Sequence, residues 1–302
     1  MRLSGVFAPI CTPFDQTGDV LYGALRENLA KYRSAGLKGF VVSGSTGEAP
    51  FLSPEEKRRL YQSVREIADG SVLIAGTATE SVRETLGLIQ DAARVGYDAA
   101  LVLTPHYFRS QMLRPETQAS FFGAVADCSR LPVLIYNFPQ MTGIDIPVEV
   151  VAQLSEHPNI IGIKDSSAGF DRIERLRSGL PDTFDVLVGN SAKFYESLSL
   201  GVNGGILGIA NVLPRLSQLI YDRYQAGDVR GSSAFQQKIV EPCRVSSEYG
   251  IQGLKYSMEL KGYFGGPTRL PLLPLDAQQK AEIELLFEGV DDDFDPSTQS
   301  AA

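Results

Sequence analysis

Apolar positions along the chain gather into short, nearly continuous runs instead of alternating with polar ones. Eight such runs, rich in β-branched residues, occupy positions 5–10, 39–42, 72–75, 99–103, 133–136, 160–163, 185–188 and 204–207. Strands buried on both faces need this pattern, as in a parallel sheet covered by helices, whereas half-exposed strands alternate. Helical patterns separate most of the runs. Ser53, Pro54 and Glu56 predict a helix start, with Ser53 capping, Pro54 in the first helical position and Glu56 reaching back to the cap amide. Leu60, Tyr61, Val64, Ile67 and Ala68 then form one apolar stripe. Ser81 and Glu84 repeat the arrangement, and that helix runs through Leu86, Ile89 and Ala93 to a terminating Gly96.

Eight strands with intervening helices predict an α/β fold, a closed (β/α)₈ TIM barrel; an open doubly wound sheet usually has fewer strands. After Asn211 the apolar runs lose their strand character, and residues 214–287 read as several helices, more than barrel closure needs. The division expected is a barrel over 1–225, a C-terminal helical region over 226–290 and a tail over 291–302. The tail, with consecutive aspartates followed by Pro, Ser, Thr and Gln, holds too little apolar surface to order itself.

Composition narrows the function. The 302 residues are 43% hydrophobic, enough for one large core, and a barrel of roughly 250 residues fits them. A net charge of -8 with no dense basic stretch argues against nucleic-acid and membrane partners. Cys11, Cys128 and Cys243 are widely spaced and suit a reducing compartment without disulfides. With only His106 and His157 as imidazoles, a His-rich metal centre is not expected. The N-terminus lacks signal-peptide features, and no apolar run approaches the ~18 residues of a membrane span, so a cytoplasmic protein is expected.

Barrel enzymes place reactive groups at the C-terminal ends of strands. Lys164 ends the run Ile160-Ile161-Gly162-Ile163, which would aim its amine from apolar walls toward the barrel mouth. Desolvation disfavours the ammonium and favours the free amine that attacks a ketone carbon. Alone, the same lysine also reads as one leaving a strand for solvent. Tyr136 closes the preceding strand, so strand order sets its phenol beside Lys164 as a proton carrier; without Lys164 it reads as a core tyrosine.

The loop Gly44-Ser45-Thr46-Gly47-Glu48 can turn its amides inward as an anion nest suited to a carboxylate, or be a plain strand-to-helix turn. Gly189-Asn190 and the glycines of 201–208 fit either tight packing or backbone close to a ligand, and Asn203 breaks any dinucleotide fingerprint. Thr104-Pro105-His106-Tyr107-Phe108 is an aromatic cluster for a pocket or a subunit interface.

Taken together, Gly44-Ser45-Thr46-Gly47-Glu48, Thr104-Pro105 with Tyr107, Tyr136-Asn137 with Pro139 and Thr142-Gly143, and Gly162-Ile163-Lys164-Asp165 resemble the dihydrodipicolinate synthase and N-acetylneuraminate lyase superfamily of pyruvate-handling barrels. The resemblance runs from residue 5 to about residue 287. It implies that Lys164 forms a Schiff base, that Tyr136 shuttles protons, and that Thr46 relays hydrogen bonds to a tyrosine from a neighbouring subunit, matched here by Tyr107. It also implies a carboxylate site at Ser45, Thr46 and Gly47; Gly189 and Gly208 are candidate substrate contacts on the reading of backbone close to a ligand, and Ser166 matches a serine that is a candidate substrate contact in 4-hydroxy-2-oxoglutarate aldolase. No cofactor beyond the lysine imine is implied. The partners implied are a 2-oxo acid and an aldehyde, and the assembly at least a dimer, commonly two tight dimers.

Position 141 is Met where the synthases carry an arginine for the aldehyde's carboxylate. Gly143-Ile144-Asp145-Ile146-Pro147, His157-Pro158-Asn159-Ile160 and Lys164-Asp165-Ser166 are similar to mitochondrial-type 4-hydroxy-2-oxoglutarate aldolase, although its loop reads Ser-Asn-Gly where this chain has Ser45-Thr46-Gly47. The expected reaction is therefore cleavage of 4-hydroxy-2-oxoglutarate to pyruvate and glyoxylate. Dihydrodipicolinate synthase, 2-oxo-3-deoxy sugar-acid aldolase and N-acetylneuraminate lyase are the alternatives within the class, and a 2-oxo-acid-binding sensor or scaffold is the alternative outside it.

Overall fold

The structure, a computed structural model, describes residues 1–167 and 169–292. Its strands are β1 Gly5–Pro9, β2 Gly39–Val42, β3 Val72–Gly76, β4 Ala99–Leu103, β5 Val133–Asn137, β6 Ile160–Asp165, β7 Asp185–Val188 and β8 Gly204–Ile206. They form a closed parallel barrel in sequence order, with β8 returning to β1 through Gly5 and Gly204. Each strand is followed by helix, so the eight-stranded (β/α)₈ TIM barrel is the observed architecture. All strand C-terminal ends lie on one rim.

The continuous apolar runs now have a physical explanation. One set of side chains, including Phe7, Val41, Ile74, Leu101, Leu134, Tyr136, Leu187 and Ile206, fills the barrel interior. The alternate set, including Val6, Phe40, Leu73, Val102, Ile135, Ile163 and Val186, packs against the helices. Both faces are thus buried, and polar alternation would leave unsatisfied groups on one of them.

The helix Pro54–Ile67 has the expected capping box: the Ser53 hydroxyl accepts from the Glu56 amide at 3.2 Å, and the Glu56 carboxylate accepts from the Ser53 amide at 2.8 Å. The helix Val82–Arg94 forms only half of its expected box. Ser81 accepts from the Glu84 amide at 3.2 Å, but the Glu84 side chain does not return the bond.

Beyond the barrel strands the chain is helical over Pro214–Gln225, Val229–Glu248, Gly250–Leu260 and Ala277–Leu286. Asp292, expected to lie in a disordered tail, caps the first of these from a distance: its carboxylate accepts from the amides of Arg215 and Leu216 at 3.1 and 2.8 Å. The remainder of the expected tail, 293–302, lies outside the described residues. No helix among the described residues is long and apolar enough to cross a membrane.

Candidate active site

Strand pairing brings together the two residues on which the chemistry was expected to rest. Lys164 lies inside β6 and not just beyond it, because the pairing continues past Ile163: Tyr136 is the register partner of Lys164, and Asn137 that of Asp165. A register irregularity between Val133 and Leu134 shifts β5 against β6 before this point. Leu134 and Tyr136 point into the barrel. Tyr136 and Lys164 are 4% and 6% exposed, and the Lys164 Nζ stands over the Tyr136 ring, 4.1 Å from its centroid. Phe138 stacks on the Tyr136 ring, with ring centroids 5.6 Å apart. Among the described residues no carboxylate forms an ion pair with Lys164, and no hydrogen bond joins its amine to the Tyr136 hydroxyl. The result is a sheltered primary amine at the barrel mouth with one aromatic neighbour and no counter-charge.

The next residue on each strand faces the opposite way. The Asn137 amide donates to Asp145 at 2.8 Å and to Asp165 at 3.0 Å, while its oxygen accepts from the Ile146 amide at 3.1 Å. Asp165 also accepts from the Ser167 amide at 2.8 Å and from Arg172 Nε at 2.7 Å. Arg172 in turn reaches Asp145 at 3.3 Å and the Ile146 carbonyl at 2.7 Å. This polar cluster behind the lumen, with Asn137 and Asp165 buried and Asp145 exposed, fixes the ends of β5 and β6 to each other and to the segment after Gly143. Sequence reasoning passed over it, although period-two alternation placed Asn137 and Asp165 on the face away from Tyr136 and Lys164.

Ser166 follows β6, its amide donating to the Asn137 carbonyl at 2.9 Å; Gly189 follows β7, its amide donating to the Asp165 carbonyl at 2.8 Å. A Cβ at position 189 would stand 2.0 Å from Ser166 Oγ and 3.2 Å from Lys164 Cε, so only glycine leaves the serine hydroxyl its place beside the lysine. Gly208 opens the turn after β8 on the same rim, but its surroundings differ: a Cβ there would meet Ser246 Oγ at 3.7 Å.

Ser45, Thr46 and Gly47 form a 3-10 turn directly after β2. Ser45 and Thr46 are half-buried and Gly47 is buried. The Gly47 carbonyl accepts from the Thr12 hydroxyl at 2.7 Å, and the Ala49 amide closes on the Gly44 carbonyl at 3.3 Å. Tyr107 is not gathered into its own chain's site. It is 79% exposed beside Phe108, itself 71% exposed, and Glu80 accepts from the His106 and Tyr107 amides at 2.9 and 3.0 Å. Met141 is 63% exposed on the short helix Pro139–Thr142. Beside it Arg109 Nε donates to the Gly143 carbonyl at 3.1 Å, Gly143 having φ 69° where a side chain would be strained. No group of three or more His, Cys, Asp or Glu side chains among the described residues is arranged to hold a metal ion.

This barrel, together with the family that the chain matches and its relatives there, places the chain among enzymes of the class I aldolase type, carbon–carbon lyases that work through a lysine Schiff base. The chain belongs to the dihydrodipicolinate synthetase family, which it matches over residues 2–289. Among curated proteins, a 4-hydroxy-tetrahydrodipicolinate synthase from Methanothrix thermoacetophila is 32% identical, over 92% of this chain and 94% of that one. Among solved structures, the 4-hydroxy-tetrahydrodipicolinate synthase of Methylacidiphilum fumariolicum SolV superposes with a TM-score of 0.90 at 30% identity, covering 95% of both chains. A chloride-inhibited dihydrodipicolinate synthase from Acinetobacter baumannii, solved with pyruvate, gives a TM-score of 0.91 at 29% identity, covering 95% of this chain and 98% of that one.

Proposed function

We propose that the protein joins pyruvate, held as an imine on Lys164, to a small carboxylated aldehyde, as a 4-hydroxy-tetrahydrodipicolinate synthase does. The observation that carries this reading is the Lys164 amine, buried beside Tyr136 on the catalytic rim without a carboxylate partner. Only a neutral amine attacks a keto carbon, and the Tyr136 phenol, beside the Lys164 amine, is the adjacent group able to take part in the proton transfers.

The neutral amine adds to C2 of pyruvate, and the carbinolamine, protonated by way of Tyr136, loses water to give an iminium. Loss of a C3 proton forms the enamine, whose C3 attacks the aldehyde carbon while the new oxyanion takes up a proton. With aspartate semialdehyde the substrate's own amino group then attacks C2 of the iminium and expels the lysine amine, closing the ring of 4-hydroxy-tetrahydrodipicolinate; with an aldehyde that has no amine, water hydrolyses the iminium and releases a 4-hydroxy-2-oxo acid and the free lysine. The reverse sequence is retro-aldol cleavage. The iminium is the electron sink, the role that a Lewis acid fills in metal-dependent aldolases. Ser45 and Thr46 receive the pyruvate carboxylate through their hydroxyls and amides, Gly47 closes the turn with its own amide on the Gly44 carbonyl at 3.0 Å, and Ser166, Gly189 and Gly208 line the remainder. Exposed Tyr107 meets Thr46 of a second copy, so the working unit is at least a dimer and by this reading two tight dimers.

The relatives reported above carry the synthase name and support that reaction ahead of 4-hydroxy-2-oxoglutarate cleavage. The latter is the second reading, favoured by apolar Met141 at the mouth and by Ser166 beside Lys164. Pyruvate offered in parallel with aspartate semialdehyde, glyoxylate and sugar-derived aldehydes separates them. The proposal expects the highest kcat/KM with aspartate semialdehyde; a preference for glyoxylate transfers the assignment to the aldolase, and condensation with none of them overturns both.

A further inference from the structure

The turn that presents Ser45 and Thr46 ends on a residue gripped from the C-terminal helical part. Glu48 has φ 57° and ψ 36°, a left-handed conformation shared among non-glycine described residues only with Ser43. L-residues seldom adopt it unless their surroundings impose it. Both carboxylate oxygens of Glu48 are engaged: Oε1 lies 2.6 Å from Lys255 Nζ, and Oε2 accepts from the Arg269 amide at 2.9 Å.

Lys255, on the helix Gly250–Leu260, is itself fixed. Its amine donates to the Pro267 carbonyl at 2.8 Å and lies 4.4 Å from the centroid of the Phe14 ring. Arg269 extends the grip to the far side of the turn, its guanidinium donating to the Phe51 carbonyl at 2.6 Å and to Glu56 at 2.9 Å.

We infer that the Glu48–Lys255 pair is a positioning device for residues 45–47, setting from the helical part of the chain the orientation of the hydroxyls and amides that receive the pyruvate carboxylate. The inference rests on the imine reading above. Glu48 and Lys255 are 2% and 1% exposed, and a buried ion pair gives little net stability over apolar side chains of the same volume. A carboxylate ion-paired through one oxygen and hydrogen-bonded to a backbone amide through the other, however, holds a backbone corner in a way that apolar packing does not. Lys255 is no second imine site, because its amine is occupied by Glu48 and the Pro267 carbonyl.

Two variants test this. Glu48→Asp keeps the charge and withdraws it by one methylene; the Glu48→Gln, Lys255→Met double variant removes both charges and leaves no unpaired ion. Both are expected to fold, to raise KM for pyruvate about tenfold or more with a smaller change in kcat, and to slow borohydride trapping of pyruvate in the same proportion. Wild-type KM and trapping rate in a folded variant overturn the inference. Wild-type enzyme supplies an independent measurement, since coupling is reciprocal: saturating pyruvate should slow amide exchange in peptides spanning 250–269, and unchanged exchange there counts equally against it. A wild-type enzyme that traps no pyruvate at all defeats the imine reading instead, so the two failures are distinguishable.

Discussion

Asn137 donates to Asp165 at 3.0 Å one residue beyond the register pair formed by Tyr136 and Lys164. The lumen side of β5 and β6 carries the phenol and the amine, and the helix side carries the bond that holds them level. Replacing Asn137 by Ala leaves the Ile146 amide without its acceptor and Asp165 short of a donor, both buried. Loss of stability by about 2–3 kcal/mol is expected in urea unfolding. At a temperature where the variant is fully folded, imine formation with pyruvate is also expected to be slower.

Gly189 leaves room for a hydroxyl. Gly189→Ala forces Ser166 Oγ, 2.0 Å from the new carbon, to move and presses on Lys164 Cε at 3.2 Å. A shift of this size beside the reacting amine is expected to lower kcat/KM by about 100-fold. Adding Ser166→Ala removes the clashing oxygen and should restore part of the loss, with kinetics on the single and double variants as the check.

The Arg269 guanidinium beside Glu56 holds that carboxyl at about 2, well below its ordinary 4.5, with the Ser53 amide assisting. A folded-state value below the unfolded one means that the stabilisation is complete above pH 4.5 and is lost as pH falls toward about 2. Glu56→Gln retains a capping side chain while removing the charge. The gap in urea midpoint between wild type and this variant should therefore be widest near neutrality and close on acidification through that window.

Met141 leaves the mouth without a cation at the position where the resemblance to the synthases implies an arginine. Met141→Arg adds a charge-assisted donor for a carboxylated aldehyde, which is expected to raise kcat/KM for aspartate semialdehyde about tenfold while leaving the rate of pyruvate imine formation unchanged. Steady-state kinetics with the aldehyde varied at saturating pyruvate measures it.

The barrel was legible because strands buried on both faces leave near-continuous apolar runs, and the observed spans 39–42, 99–103 and 185–188 coincide with those runs. The ends of β5 and β6 were read too short, since Asn137, Lys164 and Asp165 are polar and apolar content cannot signal pairing that carries polar side chains at a site. Tyr136 and Lys164 could be set side by side from strand order alone. Glu48 and Lys255 could not: they are far apart in the chain, and a lysine on an amphipathic helix ordinarily reaches water. Ser81 shows the limit of local motifs, because the spacing fits a capping box but the Glu84 side chain makes no return bond.

The most direct measurement is borohydride reduction of the enzyme in the presence of pyruvate, followed by peptide mass mapping. A single stable adduct on Lys164 is predicted, absent in Lys164→Ala enzyme that remains folded and inactive, and formed much more slowly in Tyr136→Phe. An adduct on another lysine, or undiminished turnover by Lys164→Ala, contradicts the account.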